Sequence, residues 1–353
     1  MRTIIVASTK PYAGKTGICV ALLGELRERG VDAGYFKPYG TMPYRDGDVL
    51  TDRDAYYVNS MLPKPGPVGS VCAIVRSERF IEDVLVGREP SPSERVADAF
   101  ATVSKGHEVM VVEGPSDVFQ GMAAGVQLCA VADLLDGRVL LVDHPEHVEL
   151  PDAVLGAADC LGDRLGGVVL NRIHESHSAA IAEHLVPFYR GRGIPCFGMI
   201  ADDPSLASIT VSELVDELGG TVLCAEDHLG EPVESVMIGA MGQEKALRFF
   251  RRRARKAVIT GGDRADVQLA ALETSTSAIV LTGNMPPSSL VLARADELGV
   301  PMVLVDMDTL TAVEKLEGIM GQVRLHGPGK ADRIREMFVA GVAVDDLLRA
   351  FGL

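Results

Sequence analysis

The sequence predicts an α/β protein: a parallel sheet with helices on both faces, then a second, smaller α/β domain and a helical C-terminal tail. Three observations carry this. Short apolar runs alternate with helical stretches almost throughout, the first run feeds a loop reading T-K-P-Y-A-G-K-T at 9–16, and a second alternating series begins after a polar connection at 219–234. Continuous β-branched strands bounded by helices indicate a sheet buried on both faces, which is the setting of parallel strands.

The first domain is expected to span 1–212. Strands fall at 3–8, 33–37 (A-G-Y-F-K), 108–113 (E-V-M-V-V-E), 138–143 (R-V-L-L-V-D), 166–171 (G-G-V-V-L-N) and 194–200. Helical patterns fall at 15–29, 51–61, 91–105, 120–134, 148–163 and 176–191. The second domain, 213–320, has strands near 236–241, 256–262, 277–283 and 301–306, with helices near 243–254, 264–273, 287–298 and 309–320. A tail, 321–353, carries two amphipathic helical patterns, 330–340 and 343–351, expected to pack on a domain or across a dimer.

A net charge of −15 argues against a polyanion as main partner, because nucleic-acid binders need a basic footprint. One basic run, R-F-F-R-R-R-A-R-K at 248–256, closes a helical pattern, where cations suit the helix dipole; an anion or partner patch is the alternative. No apolar stretch reaches the roughly 18 residues of a membrane span, and the N-terminus does not read as a signal peptide. A cytoplasmic protein with six buried, reduced cysteines is expected, since no C-x-x-C occurs. The pairs His144/His147 and His174/His177, with His184 nearby, lack the convergent partners of a zinc site. His144 is expected in a loop near a bound nucleotide.

The loop at 9–16 follows a strand, precedes a helix and ends in Gly14-Lys15-Thr16, as a phosphate-binding loop does. Amides of the loop and helix start, over Thr9, Lys10, Ala13, Gly14, Lys15, Thr16 and Gly17, would cradle phosphates; Lys15 would neutralise them and Thr16 would ligate Mg²⁺. Thr9 stands where the first glycine belongs, and Pro11 removes one donor. The chain is thus expected to be a P-loop NTPase-type protein with ATP and Mg²⁺ as cofactors.

Lys10, at the second loop position, resembles the signature lysine of the dimer-forming ParA/MinD-like class, which implies a homodimer with Lys10 reaching phosphates across the interface. Four further segments, G-Y-F-K-P-Y-G-T (34–41), T-D-R-D-A (51–55), V-V-E-G-P (111–115) and G-V-V-L-N-R (167–172), resemble in order the motifs of dethiobiotin synthetase and the cobyrinate amidases. That BioD-like resemblance implies Mg²⁺ around Thr16, Asp54 and Glu113, a Lys37 facing a carboxylate or phosphoryl group, and Asn171 on the adenine edge. On the residues alone, Asp54 could instead cap a helix, Glu113 end a strand, Lys37 lie in solvent and Asn171 sit in a turn. The continuation Pro115-Ser116-Asp117 departs from the small Gly-rich segment of the diamine pocket.

V-I-T-G-G-D-R-A-D-V-Q, 258–268, resembles the DRTGG domain. A BioD-like unit before a DRTGG domain is similar to the N-terminal region of long phosphotransacetylases, and the sequence is expected to stop where their acetyl-transferring domain would begin. Gly261-Gly262, with Asp263 capping and Arg264 free, could accept an anion; tight strand–helix packing is the alternative. The resemblance implies either an ATPase or ATP-dependent ligase acting on a carboxylate, with Lys15, Lys37 and Lys10 in catalysis, or a nucleotide sensor. The sensor would act on a partner that metabolises acyl-CoA or acetate. A loop that no longer binds nucleotide is the third reading.

Overall fold

The computed structural model describes residues 1–88, 91–206, 208–320 and 329–353, with 317–320 described by backbone alone. Two compact units divide the chain: Met1–Asp202 with Pro328–Leu353, and Asp203–Gly327. The expected tail residues 321–328 lie outside the described residues.

The first unit runs β1 (Arg2–Ser8), α1 (Lys15–Glu28), β2 (Ala33–Gly40), the hairpin β3 (Pro43–Asp46) and β4 (Val49–Asp52), α2 (Arg53–Ser60), α3 (Val68–Val71), β5 (Cys72–Val75), α4 (Glu78–Leu85) and α5 (Pro92–Val103). It continues β6 (Val109–Glu113), α6 (Leu128–Leu134), β7 (Arg138–Asp143), α7 (Asp152–Leu161), β8 (Leu165–Ile173), α8 (Glu175–Gly191) and β9 (Cys196–Ala201). Seven parallel strands align as β5-β2-β6-β1-β7-β8-β9. Every residue of β1 after Arg2 is buried, as is all of β6, so the sheet is covered on both faces as its β-branched strands predict. The chain leaves β1 first toward β2, β5 and β6 and later toward β7, β8 and β9 on the other side. In open α/β sheets ligands collect at the carboxyl ends of strands where the order reverses.

Between 43 and 85 the sequence reading gave only one helix; α2 is joined there by a hairpin, a strand and two short helices. These elements are four to eight residues long, too short to establish a periodicity. The helix expected at 120–134 begins only at Leu128, after a 3₁₀ turn at Met122–Ala124 flanked by two left-handed glycines.

The second unit runs β10 (Ile209–Thr210), α9 (Val211–Leu218), β11 (Thr221–Cys224), β12 (Pro232–Val233), β13 (Ser235–Ile238), α10 (Gln243–Phe250), β14 (Lys256–Gly261), α11 (Ala265–Leu272), β15 (Thr276–Thr282), α12 (Ser289–Glu297), β16 (Met302–Leu304) and α13 (Thr309–Met320). Its sheet is β11-β16-β15-β14-β13, parallel except for β11, which pairs antiparallel with β16. The unread helix α9 starts at a capping box, Thr210 with Glu213. Helix α10 stops at Phe250, so Arg251, Arg252, Arg253 and Arg255 lie beyond it, and the dipole reading holds only for Arg248 in its last turn.

The chain then returns to the first unit as α14 (Lys330–Gly341) and α15 (Val344–Ala350). Helix α14 lies along α1: Arg335 pairs with Glu25 and Glu28, and Ile334 packs where Gly17 has no side chain, a Cβ there falling 2.7 Å from Ile334 Cδ1. Among the described residues no helix is long and apolar enough to cross a membrane. The expectation of six buried, reduced cysteines needs correction: Cys129 of α6 and Cys160 of α7 are joined as a disulfide, and Cys196 and Cys224 are only partly buried. Neighbouring helices bring together two cysteines 31 positions apart, which no local spacing reveals.

Candidate functional site

The loop after β1 is set by one backbone position. Gly14 caps α1 at φ +89°, a left-handed conformation that favours glycine, and a Cβ there would lie 2.3 Å from Asn171 Nδ2. Beyond it the helix start is open. The helix's first bond is Ile18 N to Gly14 O, 3.2 Å, and among the described residues the amides of Gly14, Lys15, Thr16 and Gly17 meet no acceptor. Four unsatisfied N–H groups at the positive end of a helix make an anion site.

Thr9, Lys10, Lys15 and Thr16 of the loop have side-chain partners within the protein. Lys15 Nζ, buried, donates to Ser8 Oγ at 3.0 Å, and burial lowers its pKa to about 8, the Glu113 carboxylate opposing. Thr9 Oγ1 donates to Asp143 Oδ1 at 2.5 Å, so the side chain at the missing-glycine position ties the loop to the end of β7. Burial holds the Asp143 carboxyl above its ordinary value, with Thr9 working against it. Lys10 Nζ sits 3.7 Å from Glu149 beside a cavity of about 190 Å³ that Thr9 and Asp143 also line. Asn171 Nδ2 donates to Ala13 O at 2.8 Å and Arg172 to Tyr12 O at 3.0 Å, so the adenine-reading candidate here pins the loop; His144 Nδ1 meets Asn171 O at 3.1 Å.

Next to the helix start four charged side chains converge. Register explains two of them: Phe36 of β2 pairs with Val112 of β6, which sets Lys37 level with Glu113, and Glu113 is itself level with Val6 at the end of β1. Thr16 Oγ1 donates to Glu113 Oε1 at 3.1 Å, and Tyr35 Oη to Glu113 Oε2 at 2.8 Å. Lys37 Nζ lies 2.9 Å from Asp52 Oδ1, 3.1 Å from Glu113 Oε1 and 3.5 Å from Asp54 Oδ2. Burial alone would lower the Lys37 pKa, but Glu113, Asp52 and Asp54 outweigh it and the net shift is upward. Burial raises Asp54 to about 6, with Lys37 pulling the other way.

Thr16, Lys37, Asp54 and Glu113 are therefore brought together, and Lys15 stands beside them; Thr9, Lys10 and Asn171 belong to the loop's other flank. Sequence reasoning missed Asp52, Tyr35, Ser8 and Asp143. Asp52 had a legible signal, because Asp-x-Asp-Ala is a helix start and Asp52 accepts from Asp54 N and Ala55 N as the cap of α2.

Mg²⁺ takes oxygen ligands, and the donor set of Thr16, Asp54 and Glu113 is a hydroxyl and two carboxylates. The Lys37 ammonium stands among those oxygens as an internal stand-in cation, so the residues fit the ion. Among the described residues no group of three His, Cys, Asp or Glu side chains is already placed to hold a metal.

The raised pKa of Asp54 has a consequence for stability. Its folded value, about 6, exceeds the unfolded 3.8, so the folded state holds the proton more tightly. Stability from this group is greatest near pH 4, falls as pH rises to about 6, and stays low above. At roughly 1.4 kcal/mol per pKa unit, and discounted for partial exposure, the deficit is about 1–2 kcal/mol. Asp54→Asn is expected to stabilise the ligand-free protein by that amount at pH 8, with the gain vanishing toward pH 4. Urea melts at both pH values check it; a variant less stable than wild type at pH 8 rules it out.

In the second unit the turn after β14 is packed rather than open. Met285 O lies 1.6 Å from where a Gly262 Cβ would stand, Arg264 is engaged with Asp266 and Met241 O, and no side chain caps α11. The expectation of a free Arg264 and a capping Asp263 is corrected: the close approach of the 282–287 loop fills the turn.

A family model described as AAA domain matches residues 2–210, and one described as DRTGG domain matches 213–319. A phosphate acetyltransferase of Pseudomonas aeruginosa is 25% identical over 370 residues, covering 97% of this chain and 51% of that protein. The chain thus spans about half the length of that relative. An ATP-dependent dethiobiotin synthetase BioD of Akkermansia muciniphila is 25% identical over 247 residues, 64% of this chain and 92% of that one. Among solved structures, the cell division ATPase MinD of Pyrococcus furiosus is 20% identical with a TM-score of 0.34, covering 58% and 85% of the two chains. Both parts of the resemblance read from the motifs, BioD-like unit and DRTGG domain, are found.

Proposed function

We propose, for a chain that belongs to the AAA domain family across residues 2–210 and carries a DRTGG domain at 213–319, that its first unit binds Mg-ATP at the start of α1. One observation carries the reading: among the described residues the amides of Gly14, Lys15, Thr16 and Gly17 lack acceptors, right beside a cluster of oxygen ligands. Lys15 exchanges Ser8 for phosphate oxygens, and Thr16, Asp54 and Glu113 hold Mg²⁺. The metal would supply positive charge to offset the negative charge that develops on the phosphate. Lys10, released from Glu149, adds a second cation. Transfer of the γ-phosphoryl group to water or to a carboxylate is the enzymatic form of this function.

A sensor form is favoured by α14. This helix follows the second unit in the chain and rests Ile334 on Gly17, one residue past Thr16. A nucleotide that shifts the start of α1 therefore presses on α14, the helix that follows the DRTGG domain in the chain. The partner informed would be one that metabolises acyl-CoA or acetate, a reading that the similarity to a phosphate acetyltransferase supports. Tyr12, Phe119, Met122 and Leu150 lie exposed on the loops following β1, β6 and β7. Those three strands are neighbours, which supports a homodimer closing over the nucleotide with Lys10 at the interface.

The test is a nucleotide panel read by thermal shift. At 100 times its Kd a ligand stabilises by about 2.7 kcal/mol, roughly 5–10 °C for a unit of this size. Mg-ATP is expected to give that shift; an unchanged melting curve at millimolar Mg-ATP sinks the reading. Phosphate release with and without carboxylates then separates turnover from sensing.

A further inference from the structure

We infer that Lys37 is an exchangeable placeholder for the divalent cation: the metal displaces its ammonium from Glu113 and Asp54, and Asp52 alone retains it. The inference rests on the Mg-ATP reading and assigns Lys37 and Asp52 roles within that site.

Geometry carries it. Lys37 Nζ is 3.1 Å from Glu113 Oε1, the same oxygen that accepts from Thr16, and 3.5 Å from Asp54 Oδ2. Those three side chains are the whole donor set proposed for Mg²⁺. An ammonium and a divalent ion cannot share those oxygens, because two positive charges within a few ångströms repel strongly where water is excluded, and Lys37, Asp52 and Glu113 are nearly solvent-free. The third carboxylate makes the exchange workable. Asp52 lies outside the donor set, is fully buried, and is fixed by amides of Met42, Asp54 and Ala55. It keeps Lys37 near the site after the metal takes the other two partners. Without the ammonium, three carboxylates would face one another in the ligand-free protein. With it, their mutual repulsion is partly offset before any nucleotide arrives. Metal entry then turns Lys37 from a structural counterion into a free donor beside the phosphate-binding helix start.

The test uses wild-type protein with Mn²⁺ as probe. Brief acetylation with an N-hydroxysuccinimide ester, followed by peptide mapping, reads the accessibility of each lysine amine. Labelling of Lys37 is expected to rise at least tenfold from EDTA to saturating Mn²⁺, while exposed Lys64 stays constant. Mn²⁺ binding seen by loss of the free-ion spin-resonance signal, with Lys37 labelling unchanged, overturns the inference alone. No Mn²⁺ binding with or without ATP overturns the Mg-ATP reading and this with it. A second arm uses Lys37→Met. It is expected to bind Mn²⁺ without nucleotide at least tenfold more tightly than wild type, and to regain in Mn²⁺ the melting temperature it loses in EDTA. Equal or weaker binding, or a chain that stays unfolded in millimolar Mn²⁺, counts against the exchange.

Discussion

Lys15→Met is expected to remove half or more of the Mg-ATP thermal shift while leaving the ligand-free protein as stable as wild type or more so. The two effects have opposite signs for one physical reason. In the ligand-free protein the Lys15 ammonium is buried with a neutral hydroxyl, Ser8 Oγ, as its hydrogen-bond partner, and burial brings its pKa to about 8 from 10.5. A lysine whose folded pKa lies below its unfolded value destabilises the fold while charged. The deficit is complete below about pH 8 and disappears as pH rises through 8 toward 10.5. Methionine keeps the volume and removes the charge, so at pH 7 the variant should gain about 1–2 kcal/mol after the lost Ser8 bond is subtracted.

For nucleotide the balance reverses. A triphosphate gives the ammonium the charged partner it lacks, and a charge-assisted contact contributes about 1.5–3 kcal/mol, a 10- to 150-fold change in Kd. Phosphate must also restore the Lys15 proton, so ATP binding near pH 8.5 should take up protons. Calorimetry in buffers of different ionisation enthalpy reads that uptake. A Lys15→Met protein that keeps the full shift, or that loses several kcal/mol unliganded, contradicts this account of the loop.

The loop was legible because a phosphate cradle is contiguous: strand, turn and helix start lie within fifteen residues, and local chemistry dictates each. Glu113 and Lys37 could be picked out as strand-end charges, but their meeting depends on the order β2-β6-β1, which no local pattern carries. Thr9 shows the limit more sharply. Its residue type says only that a glycine is missing; that its hydroxyl ties to Asp143 follows from β7 lying next to β1. Asn171 carried an adenine-edge role only through the BioD-like resemblance of its strand; that its amide donates to Ala13 O depends on β8 lying near the loop after β1, which is beyond any local pattern. Tail helices are visible by period alone, whereas their return to α1 rests on Ile334 and Arg335 finding Gly17, Glu25 and Glu28 more than 300 positions away.

Asp52→Ala is expected to be the most destabilising substitution in the site, at about 3–5 kcal/mol, the range for breaking a buried ion pair from one side. Asp52 is fully buried and takes four donors: Lys37 Nζ at 2.9 Å, Met42 N at 2.9 Å, Asp54 N at 3.0 Å and Ala55 N at 3.1 Å. Alanine leaves three amides unsatisfied, removes the cap of α2 and deprives a buried ammonium of its nearest counter-charge. Asn keeps the shape and one acceptor oxygen but not the charge, so Asp52→Asn should lose about half as much. Urea melts at pH 7.5 order the series, and a loss under about 1 kcal/mol for Asp52→Ala would show that Asp52 does not anchor the cluster. The contrast with Asp54, two residues on, tests the logic most directly. Both carboxylates touch the same ammonium, yet Asp54 is partly exposed, receives none of those amides and has its pKa raised to about 6, so its neutralisation should stabilise the protein where that of Asp52 destabilises it. A fold in which neighbouring carboxylates carry opposite signs of stability holds one to build the site and the other in readiness for a cation.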